Sequence, residues 1–482
     1  MLDLRPVGYI LGLLTIVLGV AMLFPMMLDL VDANPNWQAF AVSAAVAIAL
    51  GGSVSLATAN FDFAQMTVRQ AFLLTTSTWV ILPFFGAVPF VLGAPDAGLT
   101  DAYFEAVSGV TTTGSTVFSG LDDLPRGVNL WRGILQWLGG LGIVIVALIF
   151  LPVMRVGGMQ FFRAEGFDTL GKVLPRAIDI SRGLVIAYIV LTLGCAAAYA
   201  LLGMNGFEAV VHALTTVSTG GFSTTDQSFA AFAGPAEYAA VIFMILAAVP
   251  FVRFIQLANG DVWALLRDVQ VRAFLRWMAY GCAAIILWRM LVLGEAFGPN
   301  LRETMFNLVS HTTGTGYTST DVTTWGGFSF AILFIFGLIG GCTASTGCSV
   351  KVFRYLVLKE ALWAEFRRLL RPSIVTAPRL DGRAIERDVV DSVMAFTVLF
   401  FLTLGVTAVL LSLTGLSTST AITAAWTSVA NIGPAYGPEV ATSGSMEAFP
   451  LAAKWIMIAA MTLGRLELLA VFVLFSTRFW RD

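Results

Sequence analysis

The sequence contains ten apolar runs that are each long enough to cross a lipid bilayer. A spanning helix needs about 20 predominantly apolar residues, and only helices and closed barrels satisfy their backbone hydrogen bonds in lipid. Charged residues make up 12% of the chain, about half of the share that is usual in a soluble domain. We therefore expect an all-α integral membrane protein. The predicted spans are residues 7–28, 37–58, 68–93, 130–154, 180–202, 236–258, 272–293, 326–358, 390–413 and 448–477.

Four shorter apolar segments lie between these runs, at residues 98–110, 205–217, 299–312 and 417–429. They are too short to cross a bilayer and too apolar to be ordinary loops. We therefore predict half-helices that enter the membrane and turn back. Non-helical backbone can follow them at membrane depth only where it lines a water-filled or protein-enclosed cavity.

A hydroxyl-rich motif stands at the end of each half-helix. It begins with serine or threonine, and a glycine follows six positions later, as in Ser108–Ser115 with Gly114. The other copies are Thr215–Phe222, Ser310–Tyr317 and Thr427–Pro434, with Gly221, Gly316 and Gly433. After the first two spans, the chain thus reads four times as helix, half-helix with loop, and helix, which is an internal repeat.

Four such loops can together build a cation pathway within one chain. Rings of backbone carbonyls replace the hydration shell of an ion without adding fixed charge. Glycine helps to turn these carbonyls toward one axis, because it adopts positive φ at little steric cost. Hydroxyl side chains supply further oxygens, and the C-terminal end of each half-helix adds partial negative charge. The candidate ion-binding residues are Thr111, Thr112, Thr113, Gly114, Ser218, Thr219, Gly220, Gly221, Thr313, Gly314, Thr315, Gly316, Ala430, Asn431, Ile432 and Gly433.

The four copies are not equal, since the third has an extra glycine, Gly314, and the fourth lacks the threonine run. We expect an asymmetric ring whose selectivity is less strict than that of four identical loops. The predicted architecture is a single pore built by four pseudo-repeats plus two extra N-terminal transmembrane helices. The corresponding boundaries are residues 1–65 for the N-terminal helices and 66–165, 166–268, 269–384 and 385–482 for pore repeats 1 to 4.

Basic residues cluster in the connections that alternate with the four motifs, most densely at residues 155–182, 253–276 and 351–387. The positive-inside rule then places both termini in the cytoplasm and the four motifs toward the outside. Acidic residues such as Asp101 and Glu439 surround the motifs. An acidic outer mouth concentrates cations and repels anions.

Small residues interrupt the eighth span from Gly340 to Lys351, where the sequence reads Gly-Gly-Cys-Thr-Ala-Ser-Thr-Gly-Cys-Ser-Val-Lys. Such a stretch holds a regular helix poorly, so we expect a loop within the membrane; close helix packing through small residues is the alternative. Arg465 lies in the last span, where a charge is expensive and usually faces protein or water. A structural pair of Arg465 with Glu467 is the alternative there.

The repeated pattern resembles the superfamily of K⁺ transporters, and within it the TrkH/TrkG potassium-uptake proteins, over essentially the whole chain. Members have one filter glycine per repeat and two N-terminal helices that the related KtrB proteins lack. The resemblance implies that the candidate residues above form a selectivity filter for K⁺, with Rb⁺ and Na⁺ as further candidate ions. It also implies an intramembrane gating loop beneath the filter and an arginine that projects into the pore. The candidate gating residues are Gly340, Gly341, Ser345, Thr346, Gly347, Lys351 and Arg465.

The resemblance further implies a homodimer in the bacterial inner membrane, with one pore in each protomer and lipid around it. A cytoplasmic ring protein that binds nucleotides, similar to TrkA, would dock on the basic connection at residues 351–387. We expect no cofactor and no nucleic-acid partner. The chain has neither a Walker motif nor a dinucleotide-binding motif.

Two other function classes remain as alternatives. A Na⁺- or H⁺-coupled carrier of another substrate predicts inverted repeats and broken helices at the midplane, whereas these four repeats share one orientation. A membrane enzyme needs a nucleophile with its base, or a metal set, and His212 and His311 lack acidic or cysteine partners at ligand spacing. We therefore predict no enzyme activity and interpret both histidines as hydrogen-bonded residues behind the filter, with proton coupling as the alternative. The motifs do not separate a channel from a symporter.

Overall fold

The computed structural model describes residues 3–60, 67–149, 173–374, 377–466 and 468–481. Within these ranges the regular secondary structure is helical except for one short antiparallel hairpin, in which Arg379 pairs with Ala384 and Leu380 with Arg383. The longer helices are Arg5–Ala21, Leu23–Val31, Trp37–Ala57, Val68–Leu92, Arg126–Ile149, Val173–Leu201, Pro235–Ala248, Phe251–Ala258, Val269–Val292, Gly326–Ile339, Val352–Leu370, Arg387–Leu413 and Leu451–Arg465. The protein is a multi-pass membrane protein of the predicted all-α class.

Eight helices among the described residues are long and apolar enough to cross a membrane, and a bent pair raises the number to nine. The last predicted span, at residues 448–477, is a 15-residue helix, Leu451–Arg465, followed by the short helix Leu468–Phe472. The count of ten spans therefore stays a prediction. The end of the predicted fourth span, beyond residue 149, and the basic stretch at residues 155–172 lie outside the described residues.

The sixth predicted span is not one straight helix. Pro235–Ala248 and Phe251–Ala258 meet at an angle of 93°. Val249 is extended, with φ −92° and ψ 160°, because the ring of the following proline disfavours helical backbone at the preceding residue. Pro250 also has no N–H to continue the helical ladder. The break leaves the last carbonyls of Pro235–Ala248 open to partners from elsewhere in the fold.

All four predicted half-helices are present, and their ends lie within two residues of the predicted ones. They are half-helix 1, Leu99–Val110, half-helix 2, Gly206–Val217, half-helix 3, Phe297–Thr313, and half-helix 4, Thr418–Ala430. Polar caps start two of them: the Asn205 side chain accepts from the N–H of Glu208 at 2.9 Å, and Ser417 accepts from Thr420 at 3.5 Å. Such caps satisfy backbone donors that a helix start leaves free.

The half-helices form the centre of the fold. Every residue from Phe104 to Thr113 and from Thr423 to Ile432 is buried. The N-terminal helices, Arg5–Ala21, Leu23–Val31 and Trp37–Ala57, lie outside this centre, and Asp29 links them to it by hydrogen bonds. Its buried carboxylate accepts from the N–H of Gly127 at 2.7 Å and from the Asn36 amide at 2.8 Å. These contacts fix the start of Arg126–Ile149, the helix that packs behind the motifs of repeats 1 and 2.

Candidate ion pathway

Each of the four motif loops contains an equivalent backbone hydrogen bond, although the sequences of the loops differ. In each loop, the N–H of the residue before the marker glycine donates to the carbonyl of the first motif residue, five positions earlier. The four bonds are Thr113 to Ser108 at 2.9 Å, Gly220 to Thr215 at 2.8 Å, Thr315 to Ser310 at 2.9 Å and Ile432 to Thr427 at 3.0 Å. The fourth copy therefore adopts the same turn without the threonine run. We call the four-residue stretches that end at the marker glycines glycine segments 1 to 4.

Left-handed backbone occurs at two alternate positions of every glycine segment. The marker glycines Gly114, Gly221, Gly316 and Gly433 have φ of 86°, 77°, 77° and 115°. The residues two positions earlier, Thr112, Thr219, Gly314 and Asn431, have φ of 51°, 52°, 77° and 51°. Left-handed backbone costs a non-glycine residue about 1–2 kcal/mol. The extra glycine of repeat 3 is thus at a position where the other repeats accept this strain.

The glycine segments contact one another in a closed ring. A Cβ atom placed on Gly433 would lie 2.9 Å from the carbonyl oxygen of Thr113. At the other three marker positions a Cβ atom would overlap the corresponding oxygen of the next repeat: Gly114 meets Gly220, Gly221 meets Thr315, and Gly316 meets Ile432. The order of contacts is repeat 1, 2, 3, 4 and back to 1. The marker positions therefore exclude any side chain, and the four segments surround one axis.

A side chain of each half-helix binds a residue of the chain that leaves the glycine segment. In repeats 1 to 3 this side chain lies nine residues before the marker glycine, at Glu105, His212 and Asn307. Glu105 accepts from the N–H of Val117 at 3.0 Å, His212 Nε2 lies 3.1 Å from Ser223 Oγ, and Asn307 Nδ2 donates to Ser319 Oγ at 3.0 Å.

Repeat 4 holds its outgoing backbone with a residue one position earlier in register. Thr423 donates to the carbonyl of Tyr436 at 2.6 Å and accepts from its N–H at 3.0 Å. The first three half-helices each contain a glutamate, but Glu208 and Glu303 lie thirteen residues before their marker glycines, whereas Glu105 lies nine residues before its own. Only Glu105 has the holding role. The missed signal was the recurrence of polar residues at a fixed offset from the marker glycine.

A buried ion pair joins the outgoing backbones of repeats 1 and 2. Arg132 Nε lies 2.8 Å from Glu105 Oε1, with the two side chains 1% and 0% exposed. The guanidinium also donates to the carbonyl of Ser223 at 2.8 Å and to Thr116 Oγ1 at 3.3 Å. It lies 4.2 Å from the ring centroid of Phe222.

Both histidines of the half-helices use both ring nitrogens in hydrogen bonds. His212 Nδ1 lies 2.9 Å from the carbonyl oxygen of Glu208. His311 Nδ1 lies 2.7 Å from the carbonyl oxygen of Asn307, and its Nε2 lies 2.7 Å from the hydroxyl of Tyr436. This geometry supports the interpretation of both as hydrogen-bonded residues that position the loops.

Residues Gly340–Lys351 form a loop between Gly326–Ile339 and Val352–Leu370, and we call it the central loop. It contacts the C-terminal ends of half-helices 2 and 4 and the glycine segments of repeats 1 and 3. Thr346 Oγ1 donates to the carbonyl of Val217 at 3.2 Å, and Ser349 Oγ donates to that of Ala430 at 3.0 Å. Cys348 Sγ lies 3.8 Å from Thr112 Oγ1, and its Cβ would be 3.2 Å from a Cβ on Gly314. Residues 340–350 are all buried.

Residues at the break in the sixth span form hydrogen bonds with the central loop. The N–H of Cys342 donates to the carbonyl of Ala248 at 2.8 Å, and the N–H of Phe251 donates to Ala344 at 3.0 Å. Gln270 accepts from the N–H of Thr343 at 3.0 Å. The carbonyls freed by the helix break thus satisfy loop amides that would otherwise be unpaired in the membrane.

Arg465 ends the helix Leu451–Arg465 and contacts the central loop. Its Nη1 donates to the carbonyl of Thr346 at 3.2 Å and contacts Cys348 Sγ. Arg465 is 4% exposed, yet its Nε and Nη2 atoms have no hydrogen-bond partner among the described residues, and neither does Asn431 Oδ1. Glu467, the alternative structural partner, lies outside the described residues. A buried cation therefore lies against the part of the central loop that contacts the glycine segments.

Acidic side chains on the side of the fold opposite the central loop are engaged in local contacts. Asp101 pairs with Lys454 at 2.7 Å, and Asp226 accepts from the N–H of Gly120 at 2.8 Å. Glu439 accepts from the N–H of Ser417 at 2.9 Å and from the Thr420 hydroxyl. The hydroxyl hydrogen bonds from Thr420 and Ser417 lower the pKa of Glu439 from 4.5 to about 2. These carboxylates therefore stabilise the loops around them, in addition to any attraction they exert on cations.

Comparisons with known proteins agree with this architecture. The model of the TrkH family, described as a cation transport protein, matches residues 36–481. The chain is 39% identical over 479 residues to the Trk system potassium uptake protein TrkI of Halomonas elongata, covering 99% of this chain and 97% of that protein. It is 33% identical over 485 residues to the Trk system potassium uptake protein TrkH of Escherichia coli, covering 99% of each.

Among solved structures, the chain matches the crystal structure of the potassium transporter TrkH from Vibrio parahaemolyticus. The TM-score is 0.92 at 30% sequence identity, and the match covers 100% of both chains. The family is one of transporters rather than enzymes. On the family match, the full-length relatives and the shared fold, the chain belongs to the TrkH family of cation transport proteins.

Proposed function

We propose that this protein takes up K⁺ through a single pore whose selectivity filter is the ring of glycine segments. The observation that carries the proposal is the closed contact order of the four segments, in which each marker glycine meets the carbonyl of the next repeat. The full-length relatives named as potassium uptake proteins support K⁺ as the ion. The two N-terminal helices and four repeats, with the boundaries given above, are the structural units of this proposal.

Backbone carbonyls are the ion ligands in this proposal. Alternate left-handed residues turn successive carbonyls of a segment to one side, so that four segments supply rings of oxygens to a dehydrated ion. The side chains of Thr111, Thr112, Thr219 and Asn431 add polar atoms around the ring. Because only repeat 3 has glycine at both left-handed positions, the ring is asymmetric. Rb⁺ should pass as K⁺ does, and Na⁺ should pass less well.

The central loop and Arg465 act as the gate. The loop is in contact with every repeat, and Arg465 adds a buried positive charge that opposes a cation leaving the filter. Thr346 links the two, because it binds half-helix 2, the helix break at Ala247 and Arg465. Opening requires that these bonds be exchanged for others. The small residues Gly340, Gly341, Ser345 and Gly347 make a movement of the loop sterically possible.

The cellular setting follows the resemblance and the distribution of charge. Both termini and the basic connections face the cytoplasm of a bacterial inner membrane, as the positive-inside rule requires. Arg367 and Arg368 lie in the last turn of the helix Val352–Leu370, and Arg371 follows it. All three are exposed and belong to the surface proposed for a TrkA-like ring protein. Two copies of the chain form a homodimer with one pore each, surrounded by lipid.

Flux of Rb⁺ and Na⁺ into proteoliposomes tests the filter and the gate. Gly316→Ser brings a side chain onto the carbonyl of Ile432 and should lower the ratio of Rb⁺ to Na⁺ flux. Gly294→Ser is the matched control, because Gly294 also has positive φ, at 70°, but has open space around it. Shortening Gly340–Lys351 should raise the flux of both ions. Flux that is indifferent to Gly316→Ser and to the shortened loop would favour a carrier with another pathway.

A further inference from the structure

Repeat 2 lacks a side chain that repeats 1 and 3 have directly before the marker glycine. Thr113 Oγ1 lies 2.7 Å from Thr111 Oγ1, and Thr315 Oγ1 lies 2.8 Å from Thr313 Oγ1. These hydroxyl pairs brace segments 1 and 3 internally. The equivalent residue of repeat 2 is Gly220. The left-handed residues of this segment are Thr219 and Gly221, and Gly220 between them is not left-handed. Backbone geometry therefore does not require glycine at position 220.

The side chain of Gln136 occupies the space beside Gly220. A Cβ atom on Gly220 would overlap the carboxamide of Gln136. Nε2 of that carboxamide donates to the carbonyl of Gly220 at 2.6 Å, and its Oε1 accepts from the N–H of Phe222 at 3.0 Å. Gln136 is 0% exposed. One side chain from Arg126–Ile149 thus binds the backbone on both sides of Gly221.

We propose that Gln136 is a positioning residue for cation selectivity. Its side chain braces glycine segment 2 from the neighbouring helix, as Thr113 and Thr315 brace segments 1 and 3 from within. The inference rests on the proposed function of the glycine segments as a filter. The carbonyl of Gly220 meets Gly114 of repeat 1, so its position affects the width of the ring. A carbonyl oxygen has two lone pairs. One lone pair of the Gly220 oxygen accepts the hydrogen bond from Gln136 Nε2, and the other lone pair remains free to coordinate an ion on the axis.

A pair of exchanged residues tests this replacement. Gln136→Ala removes both hydrogen bonds and should lower the ratio of Rb⁺ to Na⁺ flux about tenfold, the effect expected of one or two lost buried hydrogen bonds. Gly220→Thr alone should also lower it, because the new side chain overlaps Gln136. The double variant provides the threonine and removes the obstacle, and its hydroxyl can pair with Ser218 as Thr113 pairs with Thr111. Its flux ratio should recover to within a few-fold of the wild-type value.

Two further variants separate positioning from packing. Gln136→Met keeps the side-chain volume but loses both hydrogen bonds, so it should lower the flux ratio without leaving a cavity. Gln70→Ala is the control, because Gln70 is also a buried, hydrogen-bonded glutamine of a long helix but contacts no glycine segment. It should keep the wild-type ratio.

Deuterium exchange of a peptide that contains Phe222 provides a readout that does not depend on transport. Loss of Gln136 should accelerate exchange at the Phe222 amide, whereas Gln70→Ala should not. Unchanged amide exchange together with an unchanged flux ratio in Gln136→Met would overturn the proposal. A flux ratio in the double variant that is no higher than in Gln136→Ala or Gly220→Thr would overturn it as well. Wild-type protein that transports no Rb⁺ would instead contradict the proposed function, and the exchange result would still decide whether Gln136 holds the segment.

Discussion

Removing Arg132 should destabilise the protein far more than removing Arg126, which is on the same helix. Arg132→Met leaves the carboxylate of Glu105 buried and without the cation that lies 2.8 Å from it. Breaking a fully buried pair in this way costs about 3–5 kcal/mol. At about 2.1 cal/mol/K of unfolding entropy per residue, a chain of this length shifts its unfolding midpoint by about 1 °C per kcal/mol. We therefore expect a shift of about 3–5 °C.

Arg126→Met is the control for this prediction. Arg126 pairs with Asp32 at 3.0 Å, but the two side chains are 48% and 28% exposed. Exposed pairs contribute less than about 1 kcal/mol, so this variant should shift the midpoint by less than about 1 °C. The measurement is thermal unfolding in detergent, followed by the amount of monodisperse protein that remains.

A double variant checks the electrostatic reasoning. Glu105→Gln combined with Arg132→Met removes both charges, so no uncompensated charge stays buried. It should be more stable than Arg132→Met alone by about 2 kcal/mol or more, because the single variant retains the unpaired carboxylate. Equal midpoints for Arg132→Met and Arg126→Met, or a double variant less stable than Arg132→Met, would refute the reasoning.

Three other predictions concern the gate and the outer and N-terminal braces. Arg465→Gln removes the buried charge beside Thr346 and should raise Rb⁺ flux several-fold in proteoliposomes, whereas unchanged or lower flux would contradict a role in closing the pore. The low pKa of Glu439 means that its stabilising effect is complete above about pH 4.5 and is lost as the pH falls toward 2. The midpoint difference between wild type and Glu439→Gln should therefore be present at pH 7 and smaller at pH 3, and a difference that grows on acidification would exclude this assignment. Asp29→Ala leaves the N–H of Gly127 without its acceptor and should destabilise the protein by about 1–3 kcal/mol, with Asp3→Ala, at an exposed position, as the control in the same unfolding assay.

The sequence was most informative where the physical requirement is local. The half-helices and marker glycines were predictable, because a short apolar segment followed by a glycine turn has few solutions within a membrane. Gly314 was noticed as an extra glycine, but its role became clear only from the left-handed backbone that Thr112 and Asn431 share with it. The residues at and before the marker glycines lie together around one axis, as a cation pathway requires.

The contacts that brace the pathway could not be read from the sequence, since they join distant parts of the chain. Gln136 binds the backbone at Gly220 and Phe222, 84 and 86 residues away, and no local pattern predicts such a pairing. The break at Pro250 was hidden in an apolar run, because hydropathy does not distinguish a bent span from a straight one. Just beyond that break, Arg253 pairs with Asp268 at 2.7 Å, a contact that no local pattern predicts.

Direct observation of bound ions tests the central claim, that the four glycine segments surround one K⁺-selective pathway. Crystals or vitrified particles of the protein prepared in Rb⁺ should show ion density on the axis, next to the carbonyl oxygens of Thr113, Gly220, Thr315 and Ile432. The same density should weaken when Na⁺ replaces Rb⁺. Rb⁺ bound elsewhere in the membrane region, with none between the four segments, would contradict the account.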